Sequence, residues 1–242
     1  MTYPTHILDD MATDDILGRM MFDMHLHSNY SGDSSIPVKA IIQSFKRTGI
    51  LSLVCDHNSI TGSKLVNNIL CKSDPNFPRI LAEEIMTADG EIIGLFLQEE
   101  IMPYRSAEET LDEIRDQGAL SLVPHPFCTY RSSVLRKNVM DRIIDRIDII
   151  EGYNGRMLDD WENAMARGYA ERQGKPVSAG SDAHTSFELG RTYVNLEPFS
   201  DQKELMKALP DASVHYIHTH PAIHTMTRIV KACRKMGILQ AP

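Results

Sequence analysis

Nothing in this 242-residue chain approaches the roughly 18 consecutive apolar residues that a membrane span requires. The four cysteines (Cys55, Cys71, Cys128, Cys233) show no close pairing and no C-x-x-C, which argues against a disulfide scaffold or a thiolate zinc site. A glycine-rich cofactor loop, an internal repeat, a low-complexity tract and a clear linker are also missing. Basic residues are outnumbered, and the formal net charge of −8 argues against broad binding to duplex nucleic acid, which needs a basic footprint. The N-terminus carries Asp9, Asp10, Asp14 and Asp15 and has neither the basic start nor the apolar centre of a signal peptide, so a reducing, cytoplasmic setting is expected. With 42% hydrophobic and 24% charged residues, the composition is that of an ordinary globular protein. The length suits one large α/β domain better than two small ones.

Along the chain, a short apolar run, a polar loop and an amphipathic helix recur in turn. Strands are expected over 20–26, 51–55, 79–85, 91–97, 119–123, 147–151 and 175–179, followed by shorter ones near 193–196 and 213–217. The first helix begins near Pro37, buries Val38, Ile41, Ile42 and Phe45, and ends at Gly49. Ser106 to Glu109 reads as a capping box, and Gly118 closes the helix that it opens. In the helix over 159–173, Trp161, Ala164, Met165 and Tyr169 share what reads as the core face. A last helix is expected over 222–235. Residues 1–19 read as an N-terminal arm. Residues 20–242 read as a single barrel domain, with 201–242 as a C-terminal strand and helix extension. Strands alternating with helices imply a parallel sheet, which at this length favours a closed or distorted barrel.

The chemistry is concentrated in a few short motifs. His25 and His27, two apart on a strand, point to one face because side chains alternate. A polar turn, Ser28 to Asp33, follows. A buried strand that ends in two same-facing imidazoles and opens into a polar loop is a place to hold a divalent metal. A lone His-x-His would carry little weight, and the repetition is what matters. His25, His27, His57, Glu84, His125, Asp182 and His184 all fall at or just past the C-terminal ends of expected strands. In β/α barrels that edge is one shared mouth. A metal site is therefore expected.

Taken in order, His25-x-His27 with Asp33, Asp56-His57, Glu84, His125-Pro126 and Asp182-x-His184 resemble the PHP family, named for polymerase and histidinol phosphatase, over about residues 21–184. The resemblance implies a distorted (β/α)7 TIM-like barrel, two or three divalent ions (manganese, zinc or iron) and phosphoesterase chemistry. It implies that His25, His27, Glu84 and Asp182 hold one ion. Glu84 would bridge to a second, with His125 as a further ligand, and Asp33, His57 and His184 would hold a third. Glu84 rather than Glu83 is expected to bridge. Many relatives place a histidine where this chain has Asn154, and an amide oxygen there suits manganese or magnesium better than zinc or iron. The second ion is then expected to be weakly held or absent.

Two ions about 3.5–4 Å apart can share a hydroxide and clamp a phosphoryl oxygen. Three dications set against Asp33, Glu84 and Asp182 leave about +3 in an otherwise acidic protein, enough to attract a phosphate without a basic surface. Arg131, Arg156 and Arg191 follow the ligand motifs and are candidates for bidentate contact with phosphate oxygens. Asp182 and Arg131 are the candidate catalytic residues. The expected substrate is a small phosphomonoester or the end of a nucleotide or oligonucleotide. Alternatives are hydrolysis of a C–N or C–O bond at a carbonyl by the same site, or a non-catalytic regulatory domain. Asp56 is expected to orient an imidazole or cap a helix, and Cys128 to be a bystander. The cluster His215, His218, His220 and His224 is expected to open the last helix rather than hold metal. The sequence does not fix the oligomeric state.

Overall fold

The computed structural model describes residues 18–74 and 77–238, so the arm expected over 1–19 lies outside them except for Gly18 and Arg19. The chain is already tied down at Arg19, whose guanidinium donates to the carbonyl oxygens of Asn195 (3.0 Å) and Asp211 (2.9 Å). In order, the elements are β1 (Met20–Leu26), α1 (Val38–Thr48), β2 (Leu51–Val54), α2 (Thr61–Ser73), β3 (Ala82–Met86), β4 (Glu91–Leu95), α3 (Ala107–Asp116) and β5 (Leu120–Val123). There follow α4 (Lys137–Ile143), β6 (Ile149–Asn154), α5 (Asp160–Gln173), β7 (Val177–Gly180), β8 (Thr192–Leu196), α6 (Gln202–Ala208), β9 (Ser213–Tyr216) and α7 (Ala222–Lys235).

The strands form two sheets, ordered β2-β1-β8-β9 and β3-β4-β5-β6-β7. The pairs β1/β2, β5/β6 and β6/β7 are parallel, as the strand–helix alternation predicts. The pairs β3/β4, β4/β5, β1/β8 and β8/β9 are antiparallel. For β3/β4 the reason is local. Only a turn separates β3 from β4, and a parallel crossover needs a dozen residues or more. Gly90 makes that turn at φ 130, where an added Cβ would lie 2.3 Å from Leu135 Cα. Among the described residues no continuous ladder closes the two sheets into a ring. They meet at two isolated parallel bridges, Leu26 to Ala183 and His57 to Glu84.

Apolar burial fixes these layers. Phe22, Met24, Leu53, Ile93, Leu122 and Ile149 form one core cluster. Ile85, Leu111, Ile114, Val139, Met140 and Ile143 place α3 and α4 against the second sheet. Ile41, Ile42, Val66 and Leu70 dock α1 and α2 beside Leu26 and Val54. Each fully buried aliphatic side chain contributes about 1.5–3 kcal/mol. Gly49 ends α1 in the left-handed conformation, and Ser106 and Glu109 form the capping box on α3.

One helix face differs from expectation. In α5, Trp161 and Met165 are 49% and 44% exposed, and the inward face carries Glu162, Asn163, Ala166, Tyr169 and Ala170. Polar groups face in because they serve loop and strand backbone. Glu162 accepts from the Thr129 N–H (2.8 Å) and hydroxyl (2.6 Å), and Asn163 Oδ1 accepts from the Asn154 N–H (3.0 Å).

Two strands change register where they carry polar side chains. The β1/β2 pairing shifts between Asp23 and Leu26, and the β6/β7 pairing shifts between Glu151 and Tyr153. Such bulges re-aim side chains beside functional sites. Along β3, alternation sends Glu83 and Glu84 to opposite faces. Glu83 accepts from the Ile101 N–H (3.2 Å), and burial pushes its carboxyl up to about 8, against that hydrogen bond and with the help of Glu100.

Gly180 sits where β7 passes β1, and a Cβ there would lie 2.3 Å from His25 Cβ and 2.8 Å from Glu151 Oε1. Gly180→Ala is expected to cost about 1–3 kcal/mol or more in chemical denaturation. For Glu83, the folded state keeps a proton between about pH 4.5 and 8 that the unfolded chain has already released. Its contribution to stability is therefore full below that window and is lost as pH rises through it. Glu83→Gln should flatten the fall in Tm across the window relative to wild type, and an unchanged slope would refute this assignment.

Candidate metal centre

Six strand ends bring the polar groups together. His25 lies within β1, and His27 directly follows it. His57 follows β2, Glu84 lies in β3, His125 follows β5, Asn154 ends β6, and Asp182 and His184 follow β7. Asp33 comes from the loop between β1 and α1. His125 and Asp182 adopt left-handed backbone at φ 34 and 52. Such conformations cost about 1–3 kcal/mol each and persist only when neighbours enforce them. Here the His125 N–H donates to Glu151 Oε2 (2.7 Å), and the Asp182 N–H donates to the His25 carbonyl (2.6 Å).

The side chains converge. His25 Nε2 lies 3.2 Å from His27 Nε2, and each lies 3.3–3.7 Å from Glu84 Oε2 and Asp182 Oδ1. Glu84 Oε2 is also 3.1 Å from His57 Nδ1, and Glu84 Oε1 is 3.1 Å from His125 Nε2. Asp33 reaches both His57 Nε2 and His184 Nε2 at 3.4 Å. Four overlapping triads have donor atoms close enough to share an ion: His27/His57/His184, His25/His27/Glu84, His25/His125/Asp182 and His57/Glu84/Glu91.

Glu91 is the participant that sequence reasoning missed. It begins β4, and since β4 runs antiparallel to its neighbours, its N-terminal end faces the mouth. Its carboxyl oxygens lie 3.6 Å from His57 Nδ1 and 3.7 Å from His125 Nε2. The signal available was the short turn between β3 and β4, which forces a hairpin and so reverses which strand end counts.

Further carboxylates orient the ligands. Glu151 Oε1 pairs with His25 Nδ1 at 3.0 Å, which places the His25 proton there and leaves Nε2 free to ligate. The backbone carbonyl of Asp182 does the same for His184 Nδ1 at 2.8 Å. Asp56 accepts from both the N–H and the hydroxyl of Ser28 (2.6 Å each), so it holds the turn after His27 rather than an imidazole or a helix end. Asp23 accepts from the Ser181 N–H and hydroxyl, stitching β1 to the Asp182 loop; burial lifts its carboxyl to about 7 despite those bonds. Asn154 turns its amide nitrogen to Glu151 Oε2 (2.9 Å) and Asp182 Oδ2 (3.1 Å), while its oxygen accepts from the Arg156 N–H. In this orientation the expected oxygen ligand is already engaged.

The charge pattern fits divalent cations. Burial raises the carboxyls of Glu84, Asp182 and Asp33, yet their neighbours hold all three well below the usual range: His57 and His25 for Glu84, Arg131 and His25 for Asp182, and His184 and His57 for Asp33. Glu91 is pushed up by burial and then by the negative charge of Glu84. Glu84 Oε2 and Asp182 Oδ1 are buried without a hydrogen-bond partner. Unsatisfied carboxylate oxygens amid imidazole nitrogens are the donors that a metal ion would satisfy.

A cavity of about 950 Å³ opens over these groups, with Asp33, His57, Glu91 and His184 on its wall. Arg131 and Arg156 line it too. Arg131 donates to Asp182 Oδ2 at 2.5 Å; Arg156 pairs with Glu188 (3.3 Å) and donates to Thr227 Oγ1 (2.8 Å). Arg191 is not among the lining residues. Of the tail histidines, His215 stacks on Tyr193, His220 Nδ1 accepts from the Ala222 N–H at the start of α7, and His224 borders the cavity. Among the described residues none of the four joins a ligand triad.

The family model described as PHP-associated matches residues 160–214. An uncharacterised protein of Methanocaldococcus jannaschii is 36% identical over 188 residues, covering 76% of this chain and 73% of that protein. A two-domain protein from Bacteroides vulgatus containing a predicted PHP-like metal-dependent phosphoesterase shares the fold at a TM-score of 0.62 and 17% identity, over 87% of this chain and 69% of that one. An amidohydrolase from Chromobacterium violaceum, with bound sulfate and no metal, does so at a TM-score of 0.54 and 15% identity, over 68% of this chain and 87% of that one. Those two likenesses bear on fold alone. Identity at the level of the archaeal relative across about three quarters of both chains, with the ligand motifs in PHP order, makes this chain a member of the PHP family.

Proposed function

We propose that this protein is a metal-dependent phosphoesterase, β1–β7 being the strands of the family's distorted seven-stranded barrel and β8 and β9 extending the first sheet beyond it. The observation that carries the reading is the meeting, at one mouth, of five buried or half-buried imidazoles with the unsatisfied oxygens of Glu84 and Asp182. His25, His27, Glu84 and Asp182 would hold one ion; His125 and Glu91 would complete a second about Glu84; Asp33, His57 and His184 offer a third position. Manganese, iron and zinc all suit such mixed imidazole and carboxylate donors. Bound ions supply a hydroxide at neutral pH and polarise a phosphoryl oxygen.

The chain's own residues do the rest. Glu151 and the Asp182 carbonyl fix imidazole tautomers, so that Nε2 of His25 and of His184 faces inward. Arg131, held against Asp182, presents its remaining N–H groups to the cavity, where a phosphate oxygen can take them in bidentate fashion. Arg156 is anchored by Glu188 and Thr227 at the same wall. Two arginines at the mouth favour a phosphate ester over a neutral carbonyl substrate. Arg191, outside the cavity wall, has no part in this reading.

Metal analysis of protein purified without chelator should find two or three divalent ions per chain. Glu84→Gln should lose at least one of them and about a hundredfold or more in activity. Phosphate release from a panel of monoesters and short oligonucleotides, with manganese, iron or zinc added, tests the reaction itself. Folded, metal-replete protein that releases none but cleaves amides or esters would transfer the site to carbonyl hydrolysis; inertness toward both would leave the regulatory reading. Arg131→Lys keeps the charge but loses the planar fork, and should cut kcat/KM by about tenfold or more at unchanged metal content.

A further inference from the structure

Six cations gather around one cavity in a protein of formal net charge −8: Arg131, Arg156, Arg228, Lys231, Arg234 and Lys235. Their tasks differ. Arg131 and Arg156 are engaged with Asp182 and with Glu188. Arg234 is a clamp, donating to the carbonyl oxygens of Asn29 (3.0 Å) and Ser31 and so pinning α7 to the loop that carries Asp33. Lys231 Nζ lies 3.8 Å from Asp33 Oδ2. Arg228 and Lys235 make no ion pair with any described residue.

Positions 228, 231 and 235 repeat at i, i+3 and i+7, which puts all three on one face of α7. Three like charges there repel one another, and among the described residues their one ion pair is that of Lys231 with Asp33. A cation stripe on an outer surface would be ordinary, since water solvates it at little cost. This stripe is exposed as well, but it lines the cavity that holds His57, Glu91 and His184. The helix is also not there to fill a core, because none of its residues is fully buried. Polar and ring contacts hold it across the mouth: Arg234 on the Asp33 loop, Thr227 on Arg156, and His224 edge-on to Tyr130 at 5.6 Å between ring centroids. Along one cavity, then, a floor suited to cations faces a wall suited to anions.

We propose that Arg228, Lys231 and Lys235 form a second anion site, which takes a phosphate group of the substrate other than the one presented to the metal centre. The preferred substrate therefore carries at least two phosphate groups. This rests on the phosphoesterase reading above.

Two measurements on manganese-loaded, full-length protein test it. The first compares kcat/KM for glucose 1,6-bisphosphate and glucose 6-phosphate. Wild type should favour the bisphosphate, and in Arg228→Ala/Lys235→Ala the ratio should fall about tenfold through KM. The second needs no turnover: equilibrium binding of naphthalene-1,3,6-trisulfonate against naphthalene-2-sulfonate, neither of which is hydrolysed. Wild type should bind the trisulfonate at least tenfold more tightly, with a steep loss on adding salt, and the double variant should bind the two alike. A double variant that keeps the trisulfonate preference, or a wild type without one, overturns the proposal. Should no phosphate ester be cleaved while the preference is present and depends on Arg228 and Lys235, the anion site stands and the phosphoesterase reading falls.

Discussion

The constraint on which the rest depends is the repulsion among carboxylates buried at one mouth. Glu84, Glu91, Glu151 and Asp182 are nearly inaccessible to water, and Asp33 is little more exposed. Removing such charges from water costs several kcal/mol each unless opposite charge is supplied. Arg131 supplies it on Asp182, and imidazole nitrogens from separate loops lie 3.0–3.7 Å from oxygens of the other carboxylates. At the mouth the chain leaves unsatisfied one oxygen each of Glu84 and Asp182, together with a ring nitrogen of His27, His57 and His125. An apolar core could not hold this group of charges in place, and a loose polar surface could not leave two oxygens bare.

Holding the group together demands local sacrifices. His125 and Asp182 sit in strained backbone, two ladders change register beside His25 and Glu151, and Gly180 gives up its side chain so that β7 can pass His25. Helix α5 turns Glu162 and Asn163 inward, where an apolar face would bury more surface. At His125, Asp182, Glu162 and Asn163 the departure ends in a hydrogen bond that steadies a ligand-bearing strand or a loop of the mouth. The strain and the site share one cause.

These departures mark what the sequence could and could not show. Strand ends were readable because apolar runs stop at polar loops, and His25, His57, His125 and His184 fall at those stops. Glu91 was hidden because counting C-terminal strand ends presumes parallel strands, whereas the turn at Gly90 reverses β4. The Trp161 face of α5 misled because periodicity locates an amphipathic stripe but not which stripe a polar backbone needs. Asn154 was legible as a residue of the mouth, but the direction of its amide depends on Glu151 and Asp182, which only the folded chain brings near. The cation wall of α7 was invisible for the same reason: nothing in residues 222–235 says which loop they will lie across.

Among the described residues the sheets share no ladder, and the seams between them run through the isolated bridges Leu26–Ala183 and His57–Glu84. The first lies between His25/His27 and Asp182/His184; the second is made by two ligand-bearing residues themselves. Where backbone pairing gives out, the side chains that would grip an ion begin. A cation seated there would rivet one sheet to the other, so loading the site and closing the architecture become a single event rather than two.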